Sequence, residues 1–457
     1  MAGGQKDLGG YRPYERVNMY TTEKLAEFAL ALRPEDIPDA VKTAAKRCVL
    51  DLLGAAWAGH KSESVTALHR MVRKNFSQGE SSLWFTGIKM TASAAALANA
   101  ASASALDLDD GHRGAAGHPG ASIIPAVLAV AQEVGASEGD ILAALTIGYD
   151  IACRVGAARD FSRLPTLSTG RWCAYGVAAA AGRLYKLPAQ VLAQALAIAG
   201  SQVPDLAASG YSQIMGNHVK EGIPWATLLG IVAVDLAQEG FTGPLDILDH
   251  PDYFNTDQIM VMPEGGLAIE NIYFKPYSSC RWSHAAIDAL VSILKENSLT
   301  AEAIERVTVE TFERALRLNN YPDPSSLEAA QYSIPFCLGV AAVKGPGALL
   351  PLMEDSLHDP NIVNFARHVT LNVDTGLNDL FPRKTPARVI VDTATGTIEK
   401  TVTDPRGDPA NPMTQAELEA KFRCLTQTFL TAHRQQQMID SVMTGMFPPP
   451  QLFEACK

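Results

Sequence analysis

The residues best suited to proton transfer lie in one short segment, 107–120. It reads DLDDGHRGAAGHPG, so three carboxylates and two imidazoles lie between two Ala-rich apolar stretches. Carboxylates and histidines at the rim of a hydrophobic core are suited to general acid–base catalysis. We therefore take Asp107, Asp110, His112 and His118 as candidates for proton transfer or substrate binding. The segment predicts an enzyme that moves protons and needs no bound cofactor.

The elements on either side of this segment decide where these side chains point. If the Ala/Ser-rich helix predicted over 91–106 continues, Asp107 and Asp110 share one side, and their repulsion keeps one protonated or makes it a base. The alternative is a solvated helix C-terminus, where acidic residues oppose the helix dipole. His118 precedes Pro-Gly and a second predicted helix, whose N-terminal amides are placed to bind an anion. Its alternative role is a cap of that helix.

A lysine at the end of a Gly-punctuated polar segment is another candidate. Lys220 leads into an apolar helix predicted to begin near Ile223. A lysine at the mouth of a core pairs with a substrate carboxylate or, when desolvated, acts as a base. The alternative is an ordinary surface lysine.

The segment 274–284 carries several cationic and aromatic groups at a predicted domain junction. It contains Lys275, Tyr277, Arg281 and His284. Such a cluster suits an anionic ligand, since arginine grips a carboxylate with two hydrogen bonds and pockets favour domain junctions. A structural cluster of ion pairs is the alternative.

Composition excludes several classes of protein. With 47% apolar and 19% charged residues, the chain is typical of a globular protein, and a net charge of −11 argues against a nucleic-acid partner. Seven scattered cysteines without a CxxC pair favour a reduced, cytoplasmic protein. The polar N-terminus and the lack of an 18-residue apolar run predict no signal peptide and no membrane association. No metal motif matches the Asp/His cluster, so no metal is predicted.

Length and periodicity predict two domains. The 457 residues exceed the usual size of one core. Helical apolar patterns fill the first 265 residues, whereas β-branched alternation at 306–311 and a hairpin pattern over 387–403 indicate an α+β unit. A capping box at 414–417 predicts a helix to about 432. We expect a mainly α protein: an all-α domain from 1–265 and 410–457, and an α+β domain from 266–409.

Several motifs together resemble the MmgE/PrpD family along nearly the whole chain. They are LDLDD at 106–110 with GHP at 117–119, IAGS at 198–201, EGFTGP at 239–244, KPY at 275–277 with Cys280, Arg281 and His284, and NP at 411–412. Each motif is weak alone, but the combination is specific. The family includes 2-methylcitrate dehydratases, cis-aconitate decarboxylases and iminodisuccinate epimerases.

This resemblance implies both an architecture and a site. It implies a large all-α domain, a smaller α+β lid domain, a homodimer, and cofactor-independent chemistry on a small polycarboxylate. Asp107, His118, Lys220 and Lys275 match family positions that line the active site. Tyr149, within IGYD at 147–150, matches a family aromatic position, which implies a second proton donor or acceptor.

The chain also departs from the family patterns. Decarboxylases have Thr directly after the Asp-Asp pair and His before an Ala-rich helix, where this chain has Gly111 and Leu167. Bacterial methylcitrate dehydratases have NDTW where this chain has DDGH at 109–112. These departures disfavour cis-aconitate decarboxylation and the standard methylcitrate substrate. Arg171, close to Leu167, is predicted to contact a different substrate group.

The leading hypothesis is a dehydratase of a hydroxylated di- or tricarboxylate. A lysine or Tyr149 would remove the α-proton, His118 or Asp107 would protonate the departing hydroxyl, and surrounding cations would stabilise the developing negative charge. The first alternative is an epimerase with two bases on opposite faces of one carbon. A decarboxylase is less favoured, and a non-catalytic carboxylate-binding protein is least favoured.

Overall fold

A helical assembly makes up the first part of the chain. The structure, a computed structural model, describes residues 19–204, 206–212, 214–261 and 266–444. Ala-rich segments with a helical apolar period form this part, because each can bury one face against its neighbours. Its helices are α1 (Thr21–Ala31), α2 (Asp39–Gly59), α3 (Glu63–Asn75), α4 (Ala92–Ser104), α5 (Gly120–Val134), α6 (Glu138–Ala157), α7 (Cys173–Leu184), α8 (Ala189–Gln202), α9 (Ile223–Gln238) and α10 (Thr256–Met260).

Small residues allow these helices to pack closely. Where α6 crosses α7, a Cβ added to Gly176 would lie 2.2 Å from the backbone oxygen of Gly148. Only glycine fits such an approach, and any larger residue would push the two helices apart. The helical core is correspondingly rich in alanine, with larger side chains such as Leu52 and Val127 between the helices.

Three short strands interrupt the helices, so the expectation that the first 265 residues are all α was wrong in detail. β1 (Ser81–Leu83) and β2 (Ile88–Met90) form an antiparallel pair. β3 (Gly111–His112) pairs with β4 (Ile272–Tyr273). Polar side chains on neighbouring helices satisfy part of this backbone, as where Asn99 accepts from the amide of Trp84. Strands this short carry too little periodicity to be seen in a sequence.

The C-terminal part combines a sheet with helices. Its strands are β5 (Ile304–Thr311), β6 (Val369–Val373), β7 (Ala387–Thr393) and β8 (Gly396–Val402), in the order β6-β5-β7-β8. β5 is parallel to β6 and antiparallel to β7, and β7 and β8 form the expected hairpin. The helices here are α11 (Arg281–Glu296), α12 (Leu327–Gln331), α13 (Ile334–Val343), α14 (Pro360–Arg367) and α15 (Thr375–Asn378).

The last two helices, α16 (Gln415–Thr426) and α17 (Ala432–Met443), pack back onto the helical core. The sheet instead has a core of its own, where Val309 and Val389 meet residues of α11 and α13. The capping box at Thr414 is present. The predicted end near 432 was wrong, because Thr431 accepts from the amide of Arg434 and caps a new helix.

The fold class is as predicted: a mainly α protein with a helical part and a smaller α+β part. The residue boundaries given above for the two domains remain predictions. Among the described helices, none is long and apolar enough to cross a membrane. Four of the six described cysteines are buried, which fits their expected role as small hydrophobic side chains. Cys456 lies outside the described residues.

Candidate active site

The loop between α4 and α5 carries the Asp/His segment to the end of the helical core. Helix α4 ends at Ser104, close to the predicted end at 106, and it does not continue, so Asp107 and Asp110 do not share a helix face. Asp107 has φ +53°, a left-handed conformation that non-glycine residues seldom adopt. The amide of His112 donates to the carbonyl of Gly117 at 2.8 Å, which folds the loop back on itself and brings His118 over Asp107.

A buried ionic cluster lies at the base of this loop. Lys275 Nζ lies 3.0 Å from Asp107 Oδ1, and the lysine side chain is 0% exposed. His118 Nε2 is 3.9 Å from the same oxygen, and His118 Nδ1 is 3.7 Å from Asp109 Oδ2. The two segments that the sequence singled out, 107–120 and 274–284, therefore meet here.

Two carboxyl groups of this cluster respond to their surroundings in opposite ways. Burial alone would raise the pKa of Asp107, but the positive charges of Lys275, Lys220 and His118 outweigh burial and lower it well below its usual value. Burial raises the pKa of Asp109 because the attraction of His118 and Lys275 does not compensate for it. Asp107 is therefore an anion at neutral pH and holds cations around it.

His118 is held as a potential acid. Burial acts to lower its pKa, but the carboxylates of Asp109, Glu221 and Asp107 together raise the pKa above the ordinary 6.5. Nδ1 lies 2.8 Å from the carbonyl oxygen of Asp110 and donates to it. That bond leaves Nε2 facing Asp107. A protonated imidazole in this position can give a proton to a leaving group.

Lys220 lies at a strained turn before α9. Lys220, Glu221 and Gly222 have φ values of 45°, 58° and 72°, and such left-handed runs are costly for residues other than glycine. Lys220 Nζ donates to Gln331 Oε1 at 2.8 Å and lies 5.7 Å from the ring centroid of Tyr332. The turn thus directs a lysine from the helical part towards the C-terminal part.

A cavity of about 380 Å³ opens between the two parts of the chain. Four of the predicted site residues line it: His112, His118, Lys220 and Arg281. Asp107 and Lys275 lie behind His118, with Asp107 only 3% exposed. The positive charges of the segments 107–120, 210–220 and 274–284 therefore converge on one cavity.

Two of these lining residues have clear hydrogen-bonding roles. His112 is neutral, because burial and the charge of Arg113 lower its pKa to about 4, and its Nδ1 accepts from the amide of Ala115 at 3.1 Å. Arg281 donates to the carbonyls of Pro405 and Arg406, each at 2.9 Å. Burial lowers the pKa of Arg281 to about 10, which still leaves it charged at neutral pH.

Other predicted site residues lie off the cavity as the described residues define it. Tyr149 is fully buried, and its hydroxyl donates to Asp110 Oδ2 at 2.6 Å. The other oxygen of Asp110 accepts from the amide of Gly120 at 2.9 Å, so the N-terminus of α5 binds a carboxylate of the chain itself. Burial raises the pKa of Asp110 to about 7.

The remaining predicted residues also act behind the cavity wall. Tyr277 donates to Asp288 at 2.7 Å. His284 Nε2 lies 3.1 Å from the carbonyl of Ser279, and its Nδ1 lies 3.2 Å from Arg281 Nη1. Since burial lowers the pKa of His284 well below its usual value, the neutral ring accepts from Arg281 and orients it. Arg171 is half-buried in the short turn Thr169–Arg171, close to the cavity wall but not part of it.

Sequence reasoning missed several lining residues. Glu221 accepts from both the amide and the hydroxyl of Thr169, at 3.0 and 2.7 Å, and that hydroxyl accepts from the amide of His118. The ring of Tyr273 lies between two guanidinium groups, 5.0 Å from Arg113 and 4.7 Å from Arg281. The only sequence signal for Glu221 and Arg113 was their position next to candidate residues.

The Asp/His cluster also has the composition of a metal site. Asp107, Asp109 and His118 each offer one ligand atom, all within 4.8 Å of one another. A metal ion there would have to displace the ammonium group of Lys275 from Asp107 Oδ1, and it would lie among further cations. The prediction of a metal-free site stays a prediction.

Comparison with known proteins matches both parts of the chain. The MmgE/PrpD N-terminal domain matches residues 23–258, and the MmgE/PrpD C-terminal domain matches residues 277–444. A cis-aconitate decarboxylase of Aspergillus terreus (strain NIH 2624 / FGSC A1156) is 26% identical over 93% of this chain and 92% of its own length. The human cis-aconitate decarboxylase is 25% identical over 92% of this chain and 91% of its own length.

A third relative is the cis-aconitate decarboxylase-like protein oryM of Aspergillus oryzae (strain ATCC 42149 / RIB 40), 25% identical over 93% of this chain and 94% of its own length. The first two relatives are named as decarboxylases of cis-aconitate and the third as similar to them, and the similarity extends across both parts of the fold. Since the two family domains together span most of the chain, this protein belongs to the MmgE/PrpD family.

Proposed function

We propose that the protein is a cofactor-independent lyase that removes an α-proton and then water from a small hydroxylated di- or tricarboxylate. The observation that carries this proposal is the convergence of His118, Lys220 and Arg281 on one cavity, with Lys275 behind His118. Carbon acids beside a carboxylate are weak, so the developing negative charge requires cations fixed in advance around it.

The two lysines are suited to different tasks. Lys275 is held against the carboxylate of Asp107, so it serves as a fixed positive charge. Lys220 lines the cavity and donates to the amide oxygen of Gln331 rather than to a carboxylate, so its amine is the better placed of the two to act on substrate as a base. Tyr149, the other base that the sequence suggested, has its hydroxyl directed at Asp110.

The proposed step is an elimination. Lys220 first releases its own proton to solvent and then takes the α-proton, the electron pair of the C–H bond forms the C=C bond, and the C–O bond to the hydroxyl group breaks. His118 gives its proton to the departing hydroxide, which leaves as water. Lys220 is then a cation again, and His118 regains a proton from solvent, which restores both groups.

Decarboxylation is the second candidate, because the similar proteins above are named cis-aconitate decarboxylases. It would use the same cations and His118 as the acid that protonates the carbanion, but it would need no base. Against it are Gly111 and Leu167, at the two positions where decarboxylases have Thr and His. Leu167 lines the cavity, so an imidazole that could act on substrate is replaced there by an apolar side chain.

Proton NMR in deuterated water separates these reactions. The wild-type protein would be incubated with malate, citrate, alkylcitrate and amino-dicarboxylate candidates in the presence of a chelator. We expect an alkene product without release of CO2, and loss of that activity in Lys220→Gln but not in Lys344→Gln, a control at a surface ion pair. Release of CO2 would establish the decarboxylase instead. Deuterium at an inverted α-carbon without formation of an alkene would establish an epimerase. Binding of a candidate without any turnover would establish a carboxylate-binding protein.

A further inference from the structure

The cavity is lined by two chemically different sets of side chains. The first set, which we call the floor, is cationic, with His118, Lys220 and Arg281. The second set, which we call the apolar wall, consists of Leu167, Met215, Trp282, Leu318 and Phe381, all of which border the same space. A site built only for a polycarboxylate would gain nothing from such a wall, since every carboxylate needs a polar partner.

The C-terminal part of the wall is rigid. The ring of Phe381 stacks on Phe312 with centroids 4.5 Å apart, and the indole of Trp282 meets both rings edge-on at 5.7 and 5.9 Å. The carbonyl of Met215 accepts from Asn319 at 3.3 Å, which ties the wall segment of the helical part to the residue that follows Leu318. A wall held in place by packing can discriminate between ligands by shape.

The volume of the cavity and its lining together indicate what occupies the space beside the apolar wall. A cavity of about 380 Å³ has the volume of roughly a dozen water molecules in the liquid. Water in contact with these apolar side chains gains no polar partner from them, whereas an ordered water needs two to four, so hydrocarbon fills the space beside the wall more favourably. Arg281 and Trp282 are consecutive at the start of α11, so the cationic floor and the wall meet directly.

We propose that the substrate carries an apolar substituent, an alkyl chain of several carbons, on its polycarboxylate head. The head faces the cations, and the chain lies against Met215, Trp282 and Phe381. The assignment of the head rests on the proposed function, whereas binding of the chain can be measured without any reaction.

Binding measurements with unreactive analogues test this. Tricarballylate has no hydroxyl group and cannot lose water, so tricarballylate and its methyl, butyl and hexyl derivatives report affinity alone. By calorimetry on the wild-type protein we expect Kd to fall about fourfold for each of the first methylene groups. A Kd that stays level or rises with chain length overturns the inference. A falling Kd combined with no turnover of any hydroxylated analogue would overturn the proposed dehydration and leave this inference standing.

A matched pair of variants locates the chain. Met215→Gln nearly conserves side-chain volume but places an amide against the hydrocarbon, and we expect it to reduce the preference for hexyl over unsubstituted tricarballylate roughly tenfold. Met353→Gln makes the same change at a residue 56% exposed and outside the wall, and it should leave the preference unchanged. Equal effects of the two variants would contradict the placement. If Met215→Gln melts early, Leu167→Asn tests the same wall from the other side.

Discussion

The floor and the apolar wall of the cavity are built by different physical means. The floor is a buried set of charges, and its loop is fixed from below by Lys421, which pairs with Asp51 at 2.6 Å and donates to the carbonyl of Leu108 at 2.8 Å. The wall is held by aromatic packing, as between Phe312 and Phe381. Buried charges tolerate almost no substitution, whereas apolar packing tolerates changes of similar volume. We infer that the floor sets the reaction and the wall sets the substrate.

The largest expected effect is on the floor, at its acid. His118→Asn keeps an amide that can donate to the carbonyl of Asp110 in place of Nδ1, but it removes the transferable proton at Nε2. Loss of a positioned acid lowers kcat by about 10²–10⁴-fold, measured by steady-state assay of alkene formation. His358→Asn, at a surface ion pair with Asp323, is the control and should retain full activity. Activity retained in His118→Asn would remove this residue from the mechanism.

The pH profile gives an independent check on the same residue. The acid must be protonated, so wild-type kcat should fall as pH rises through the raised pKa of His118, which lies above the ordinary 6.5. A folded pKa above the unfolded one also means that the contribution of His118 to stability is full below about 6.5 and is lost as pH rises through the folded value. A profile in His118→Asn with the same decline would assign that decline to another group.

The next effect concerns the fixed charge beneath the acid. Lys275→Met leaves the carboxylate of Asp107 buried without its partner, which costs about 3–5 kcal/mol of stability, and loss of one fixed cation lowers kcat about 10²–10³-fold. Lys400→Met breaks an exposed pair with Glu296, where about 0–1 kcal/mol is expected. Urea unfolding of the two variants measures these losses of stability, and the steady-state assay measures kcat. Similar losses in the two variants would show that Lys275 and Asp107 are not a buried pair.

The loss of stability in Lys275→Met should change with pH in a definite direction. The pKa of Asp107 is lowered below its ordinary 3.8 in the folded protein, so its contribution to stability is present above 3.8 and is lost as pH falls through the folded value. The difference in stability between the wild-type protein and Lys275→Met should therefore be largest near neutral pH and shrink below about pH 4.

Local patterns were enough for most of the fold. Helices were expected directly after His118 and from near Ile223, where α5 and α9 begin at Gly120 and Ile223, because each buries one apolar face and its period is visible in the sequence. The turn that follows α4 could not be predicted, since nothing local shows that Asp107 adopts φ +53°. That conformation depends on ionic and backbone contacts from Lys275 and Lys421, both far away along the chain.

The same reasoning explains why only some of the site residues could be predicted from the sequence. Residue type and density pointed to His118, and the family motifs to Lys275. Whether a residue faces the cavity depends on the turn of its element, so Arg281 lines the cavity while His284, one turn later on α11, faces the carbonyl of Ser279. Gln331 could not be predicted, because it meets Lys220 across 111 residues of chain.

The smallest expected effect is at Gly111, beside the floor of the cavity. Gly111 marks one departure from the decarboxylase pattern, and the ring of Tyr273 fills the space that a side chain there would need. A Cβ at Gly111 would lie 2.2 Å from the phenol of Tyr273, so Gly111→Ala must push that ring from between Arg113 and Arg281. Overpacking of this kind costs about 1–3 kcal/mol, and it should also weaken carboxylate binding by displacing Arg281.

A double-mutant cycle isolates this contact. Tyr273→Ala alone leaves a cavity, but in its background Gly111→Ala should cost far less than in the wild-type protein, because the clash is gone. Gly347→Ala, where an added Cβ meets nothing within 4 Å, is the control and should be nearly neutral in urea unfolding. Additive costs for Gly111→Ala and Tyr273→Ala would mean that the ring does not require glycine. The absence of Thr at position 111 would then have to be explained by the reaction rather than by packing.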